Sequence, residues 1–264
     1  MQNEKRAIPI RKIAIIQARS TSTRLPGKCL LQLLGKTVLE HILDRLKRVP
    51  SLDSICVATT ENTVDDAIVK VAGQASVSVY RGSEQDVLDR FYQAARQEQA
   101  DVICRITSDD PLKDSGVTEK VMQEFLNNEC DYASNTLHPT YPEGIDVEVF
   151  SYAALKKAWE NGRLPSEREH VTPYIWKHPD KFSLLSVENS QDLSKLRWTL
   201  DYAEDWVFIQ QVYEYLYPIN KAFLMDDVLK LLEERPQLKT INAGIMRNEG
   251  YMKSLQADKD GKKL

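Results

Sequence analysis

The sequence predicts an α/β protein built on a mixed, mostly parallel sheet with helices on both faces. Three observations carry this expectation. Short β-branched apolar runs alternate with amphipathic helical stretches through the first half of the chain. The first run passes directly into a polar loop of Ser, Thr, Arg, Gly and Lys, as a buried strand entering a ligand loop does. The 264 residues, 42% of them hydrophobic, suffice for one large buried core and exclude a fibrous or disordered chain.

Taken in order, residues 12–17 are the first strand. Thr37-Val-Leu-Glu40 reads as a capping box that opens a helix, with Val38, Leu39, Ile42, Leu43, Leu46 and Val49 on one apolar face. Strands are expected at 54–59, 76–80 and 101–107, with helices at 64–72 and 86–97 between them. A helix at 117–127 and a short strand at 131–134 continue the alternation, until His138-Pro-Thr-Tyr-Pro-Glu-Gly144 punctuates the chain. Beyond it come a strand at 145–150, a helix at 152–160, a second helix at 167–177 broken by Pro173, and strands at 182–187 and 196–200. Helices at 205–216 and 225–234 complete one domain over residues 1–247, and 248–264 read as a loose, charged tail. No internal repeat or low-complexity tract interrupts this plan.

The formal charge of −4 supplies no basic field for a nucleic-acid backbone. Cys29, Cys56, Cys104 and Cys130 are scattered and lack zinc-site spacing, so they read as reduced thiols, mostly buried. The apolar run at 8–16 is too short, and too interrupted by Arg11 and Lys12, for a signal peptide or spanning helix. A cytoplasmic protein without a membrane partner is the expectation.

In an open α/β sheet, ligands collect outside the carboxyl ends of the strands, which directs attention to loops 18–28, 59–65 with 81–86, and 107–111. The first, Gln17-Ala-Arg-Ser-Thr-Ser-Thr-Arg-Leu-Pro-Gly-Lys28, sets Arg19, Arg24 and Lys28 among small hydroxylic residues, so its backbone and cations can wrap a polyphosphate. It is not a P-loop: Ser22 stands where that motif needs glycine, and Cys29 follows the lysine. A solvated basic loop is the plain alternative. Ser108-Asp109-Asp110-Pro111 closes a strand with two carboxylates, hard oxygen donors suited to Mg²⁺, although the same residues form ordinary turns. Asp86 is equally a ligand or a helix N-cap.

These motifs occur together with Val79-Tyr-Arg-Gly-Ser-Glu-Gln-Asp-Val-Leu-Asp-Arg90, Arg105-Ile-Thr-Ser-Asp-Asp-Pro-Leu112, Pro142-Glu-Gly-Ile-Asp-Val-Glu-Val149, Arg168-Glu-His-Val-Thr-Pro-Tyr174 and Trp198-Thr-Leu-Asp201. In that order the blocks resemble the cytidylyltransferases that activate acidic sugars and related compounds, including the acylneuraminate and Kdo enzymes, above all the branch that includes the spore coat polysaccharide protein SpsF. The resemblance implies a Rossmann-like fold of the nucleotide-diphospho-sugar transferase type and transfer of CMP from CTP, with release of pyrophosphate, to a small acceptor, a sugar acid or related sugar, for surface polysaccharide or glycoconjugate synthesis. It implies a homodimer and an excursion at 135–180 for acceptor binding and dimer contact. Gln17, Ala18, Arg19, Arg24, Lys28, Arg81, Ser83, Asp86 and Ser108 are the implied nucleotide site, with Arg19, Lys28 and Asp109 catalytic. Asp109 and Asp201 are the implied Mg²⁺ ligands; Ala203 replaces a further aspartate of the acylneuraminate pattern, a gap that Asp205 or Asp110 would have to fill. Asp146, Glu148, Arg168 and His170 are the expected acceptor residues. Two acids on one strand face, offset by Arg168 or a metal, favour a hydroxyl-rich or amine-bearing acceptor, with Arg168 and His170 available to hold an acidic or phosphorylated end. A phosphate or phosphonate monoester acceptor, a donor other than CTP, a metal-dependent glycosyltransferase and a non-catalytic nucleotide-binding protein stand as rivals.

Overall fold

The computed structural model describes residues 9–260. The first eight residues of the expected leaderless N-terminus, and the last four of the expected tail, lie outside them. Nine strands and ten α-helices run in the order β1 (Lys12–Gln17), β2 (Gln32–Leu33), β3 (Lys36–Thr37), α1 (Val38–Leu46), β4 (Ser54–Thr60), α2 (Asp66–Gln74), β5 (Ser78–Gly82), α3 (Val87–Gln97), β6 (Val102–Thr107), α4 (Ser115–Asn127), β7 (Tyr132–Ser134), β8 (Glu148–Ser151), α5 (Tyr152–Asn161), α6 (Pro165–His170), α7 (Pro173–Trp176), β9 (Leu184–Ser186), α8 (Ala203–Leu216), α9 (Met225–Glu234) and α10 (Glu249–Lys259), among the described residues.

The main sheet has strand order β5-β4-β1-β6-β8-β7-β9. Strand β1 lies parallel between β4 and β6, and β5 extends the parallel half. Only β8 runs against its neighbours β6 and β7. The central strand shows why its middle, Ile13 to Ile16, is apolar without a break. Ala14 and Ile16 enter one core with α1, α2, α4, α8 and α9, while Ile13 and Ile15 enter the opposite core with α3, α5 and α7. A strand covered on both faces alternates between two interiors and exposes neither set. Among the described residues, no helix is long and apolar enough to cross a membrane.

The capping box at the start of α1 forms as expected: Thr37 accepts from the Glu40 amide at 3.2 Å, and Glu40 accepts from the Thr37 amide at 2.6 Å. Three expectations fail for identifiable reasons. The strand expected at 196–200 makes no ladder, because its amides go to separate partners: Trp198 to the Glu143 carbonyl at 2.7 Å and Leu200 to the Asp109 carbonyl at 2.8 Å. The strand expected at 145–150 begins only at Glu148, since Asn135 caps the preceding backbone, donating to the Ile145 carbonyl and accepting from the Val147 amide. The expected tail is helix α10, packed against α6. Its contacts are polar and aromatic, so no apolar stripe announced it.

Gly144 holds the chain crossing beneath the site. Its φ is +106°, and a Cβ there would stand 2.5 Å from the backbone of Trp198 and of Thr199. Gly144→Ala is therefore expected to lower unfolding free energy by about 3 kcal/mol, read from the denaturant midpoint at unchanged m value.

Candidate functional site

The loop after β1 turns back on itself at the carboxyl end of the sheet. The Ala18 amide donates to the Ala58 carbonyl, the Ser20 amide to Asp65 Oδ1 at 2.7 Å, and the Gly27 amide to the Ser20 carbonyl at 2.9 Å. Gly27, at φ +68°, takes the left-handed conformation that starts the next short turn and directs Lys28 inward. Lys28 is buried, and its Nζ lies 2.6 Å from Asp109 Oδ2 and 2.7 Å from Asp201 Oδ1. Asp109 stands just beyond β6, and Asp201 just before α8. The Leu200 amide bonded to the Asp109 carbonyl ties these two segments together.

A second layer fixes Asp201. Arg197, buried, forks onto Asp205 at 2.8 and 2.9 Å, reaches Glu143 at 2.7 Å, and stands 3.5 Å from Asp201 Oδ2. Asp205 in turn accepts from the amides of Asp201 and Tyr202, capping α8. Arg24 adds a 2.7 Å ion pair to Asp201. Burial alone would raise the Asp109 carboxyl, but the Lys28 ammonium outweighs it and holds the group below the ordinary carboxylate range. Burial, reinforced by the charge of Asp109 beside it, pushes Asp110 up to about 7 despite Lys113 3.0 Å away.

Two cavities meet at this cluster. One, of about 450 Å³, is lined by Gln17, Ala18, Arg19, Arg24, Lys28, Ser108, Asp109 and His170 of the expected residues, and also by Arg90, Arg105 and Lys253. Of its six cations, Arg24, Lys28, Arg105 and Lys253 are paired with acids, whereas Arg19 and Arg90 make no ion pair among the described residues. In a chain of net charge −4, that concentration suits a polyanion. The second cavity, of about 350 Å³, is lined by Asp146, Glu148 and His170 together with Glu143, Thr136, Thr172, Trp176 and Tyr251. Arg105, Thr107, Asp109 and His170 border both. A ligand in each would present its reacting end at the shared wall.

Four expected residues stand elsewhere. Arg81 is held by Asp66 at 2.6 Å and by the carbonyls of Thr60 and Asn62. Asp86 caps α3 and binds the Arg168 guanidinium, while Ser83 accepts from the Asp86 amide; all three line a separate depression beside Trp159. The charges of the second cavity are offset by other cations than Arg168. Register places Arg105 on β6 directly opposite Glu148 on β8, where they form an ion pair. Glu148 also accepts from Tyr132 at 2.6 Å, and Asp146 pairs with Arg247 at 2.9 Å. Burial brings the His170 imidazole down to about 4, so the ring is neutral at pH 7, with Nε2 2.9 Å from the Ser254 hydroxyl. It acts through hydrogen bonds and not as a fixed cation. Asp110 and Asp205, the acids that would have to fill the place of the aspartate absent at position 203, are paired with Lys113 and Arg197.

Arg90, Arg105 and α10 went unassigned at the level of sequence. Arg105 carried a readable signal, a cation inside the apolar strand Val102-Ile-Cys-Arg-Ile, which demands a buried partner. Helix α10 carried none. It nevertheless lines both cavities, with Lys253 and Ser254 on the first and Tyr251 on the second. Tyr251 meets the rings of His170 and Trp176 edge-on at 5.2 and 5.6 Å. Cys29, Cys56 and Cys104 are buried free thiols that burial pushes up to about 12, so none is a nucleophile at neutral pH.

The family model described as cytidylyltransferase matches residues 13–241, stopping short of α10. An uncharacterized protein of Methanocaldococcus jannaschii is 39% identical, over 90% of this chain and 97% of its own length. The spore coat polysaccharide biosynthesis protein SpsF of Bacillus subtilis is 31% identical, over 76% of this chain and 85% of its own. The structure of a cytidylyltransferase from Leptospira borgpetersenii superposes with a TM-score of 0.84 at 34% identity, covering 88% of this chain and 97% of that one.

Proposed function

The chain belongs to the cytidylyltransferase family, and on that premise we propose that it transfers CMP from CTP to a small hydroxyl-bearing acceptor, releasing pyrophosphate. One observation carries this reading. A cation-lined cavity and a polar cavity meet at Asp109, beside the Lys28–Asp109–Asp201 cluster. The first cavity takes the triphosphate, with Arg19, Arg24 and Lys28 neutralising charge that moves onto the departing pyrophosphate. The second holds the acceptor so that its oxygen approaches the α-phosphorus in line. Positioning and charge stabilisation then supply the catalysis, and no covalent intermediate is needed.

Asp109 and Asp201 fit a Mg²⁺ ion. Both carboxylates converge on the Lys28 ammonium, which would have to yield to the ion and turn toward the phosphates, and two carboxylates with phosphate oxygens and water make up the usual Mg²⁺ shell. Among the described residues no group of three or more His, Cys, Asp or Glu could hold a metal alone, so the nucleotide would supply the remaining ligands. Bound there, Mg²⁺ would neutralise phosphate oxygens as a Lewis acid.

The second cavity favours a neutral, hydroxyl-rich acceptor such as a sugar. Glu143, Asp146, Glu148 and Asp110 each have a cationic partner, leaving polar walls of little net charge, with Trp176 and Tyr251 as an aromatic side. The name of SpsF agrees with a role in polysaccharide synthesis. The test is a thermal-shift panel of the four ribonucleoside triphosphates with Mg²⁺, followed by mass spectrometry of CTP incubated with a cell metabolite extract. CTP is expected to stabilise most, by about 2.7 kcal/mol at a hundredfold excess over Kd, and new CMP conjugates to form with pyrophosphate. Equal stabilisation by UTP or GTP, or pyrophosphate release without a CMP conjugate, would overturn the assignment.

A further inference from the structure

Arg90 of α3 is a buried guanidinium that lacks an anion. It is 1% exposed, and among the described residues no carboxylate oxygen lies within ion-pair distance of it. Its Nη1 donates to the Ser83 carbonyl, while Nε has no partner. The acids nearest in effect are already committed. Asp65 accepts from the Ser20 amide and the Thr60 hydroxyl, Glu84 from Asn62 and Thr21, and Asp86 from Arg168. Arg19 repels it from across the cavity; burial first, and then that like charge, lower the Arg90 guanidinium to about 10, so it stays charged at pH 7. Arg19 itself makes no ion pair among the described residues. Both side chains line the cation-rich cavity.

An uncompensated buried cation is strongly destabilising, and the buried Arg90 together with the half-buried Arg19, both on one cavity, marks a place where an incoming anion completes the balance. Guanidinium forks match phosphate oxygens two at a time, and one side chain from a loop with one from a helix can grip a phosphate from two directions. We propose that Arg90 is a substrate-binding residue that forms, with Arg19, a two-guanidinium clamp on a phosphate group of the nucleoside triphosphate. This deepens the CTP reading and rests on its assignment of the first cavity.

The proposal makes binding and stability move in opposite directions. Arg90→Met keeps the volume and removes the charge. Its Tm without nucleotide is expected to equal or exceed that of the parent protein, while calorimetric affinity for CTP with Mg²⁺ falls about thirtyfold or more, consistent with loss of a charged bidentate contact. Cytidine affinity should change less than twofold, and Arg90→Lys should bind CTP more tightly than Arg90→Met. A lower Tm with unchanged CTP affinity makes Arg90 structural and overturns the clamp. Inorganic tripolyphosphate separates the two hypotheses. If the parent protein binds it, and Arg90→Met does not, the clamp stands even where CTP is not the donor. If the parent binds neither compound, the cavity assignment and the clamp fall together.

Discussion

Lys28→Met is expected to lower turnover of CTP on the order of 10²–10³-fold, equivalent to about 3–4 kcal/mol of barrier. The ammonium stands between Asp109 and Asp201 and borders the cation-rich cavity, where under the proposed CMP transfer it would follow charge as it leaves the α-phosphorus. Methionine preserves the buried volume, leaving the lost charge as the main change. The same contacts predict an effect on stability. Two carboxylates lose the cation that paired them, and the folded state should weaken by about 3 kcal/mol. Arg24 and Arg197 still face Asp201, which keeps the loss from being larger. Mg²⁺ without nucleotide is then expected to raise the Tm of Lys28→Met by more than it raises that of the parent, because the ion can take the position the ammonium held. The assays are pyrophosphate release and thermal melts with and without Mg²⁺. Near-parent turnover would remove Lys28 from the chemistry, and identical Mg²⁺ responses would remove Asp109 and Asp201 from the metal.

Arg197→Met is expected to have the largest effect on stability, about 3–5 kcal/mol. Arg197 is the hub of a buried network, holding Asp205, Glu143 and Asp201 from one guanidinium. Burial by itself would lower it, but its bonds to Asp205 and the charge of Glu143 raise it above the ordinary arginine range. Removing it strands Asp205, which is fully buried, and loosens the cap of α8 that positions Asp201. Asn242, which donates to Asp205 at 2.8 Å and to the Arg197 carbonyl, is too small a compensation for a lost ion pair. Denaturant unfolding measures the loss. Turnover should also fall in the folded fraction, as Asp201 is no longer held toward Lys28. A variant as stable as the parent would show that Asp205 and Glu143 find other partners and that the network does not hold the site.

The elements of the first half were legible because chain geometry writes them into the sequence. Strand β1 reads as an apolar run because Ile13, Ala14, Ile15 and Ile16 alternate between two cores, and α1 reads from the Thr37 and Glu40 cap that opens it. The clustering of Arg19, Arg24 and Lys28 was legible too, since one loop carries all three. The partnerships were not. Lys28 is 81 residues from Asp109 and 173 from Asp201, and no local pattern spans such distances. Arg81 and Arg168 were expected as ligands and Asp86 as a ligand or an N-cap; only the fold shows that Arg81 pairs with Asp66 and that Asp86 caps α3 and pairs with Arg168.

By itself, then, the sequence determined the sheet, the covering helices, the cationic loop and the family, all of which depend on periodicity or contiguous motifs. Only the tertiary structure decided that Arg105 neutralises Glu148 through strand register, that Arg90 is buried on the cavity it shares with Arg19 without an acid, and that α10 walls both cavities. The reason is physical. Secondary structure follows from bonds between neighbours a few residues apart, whereas the charge balance of a cavity depends on which distant side chains the packed sheet brings within about 4 Å of one another, where Coulomb interactions dominate.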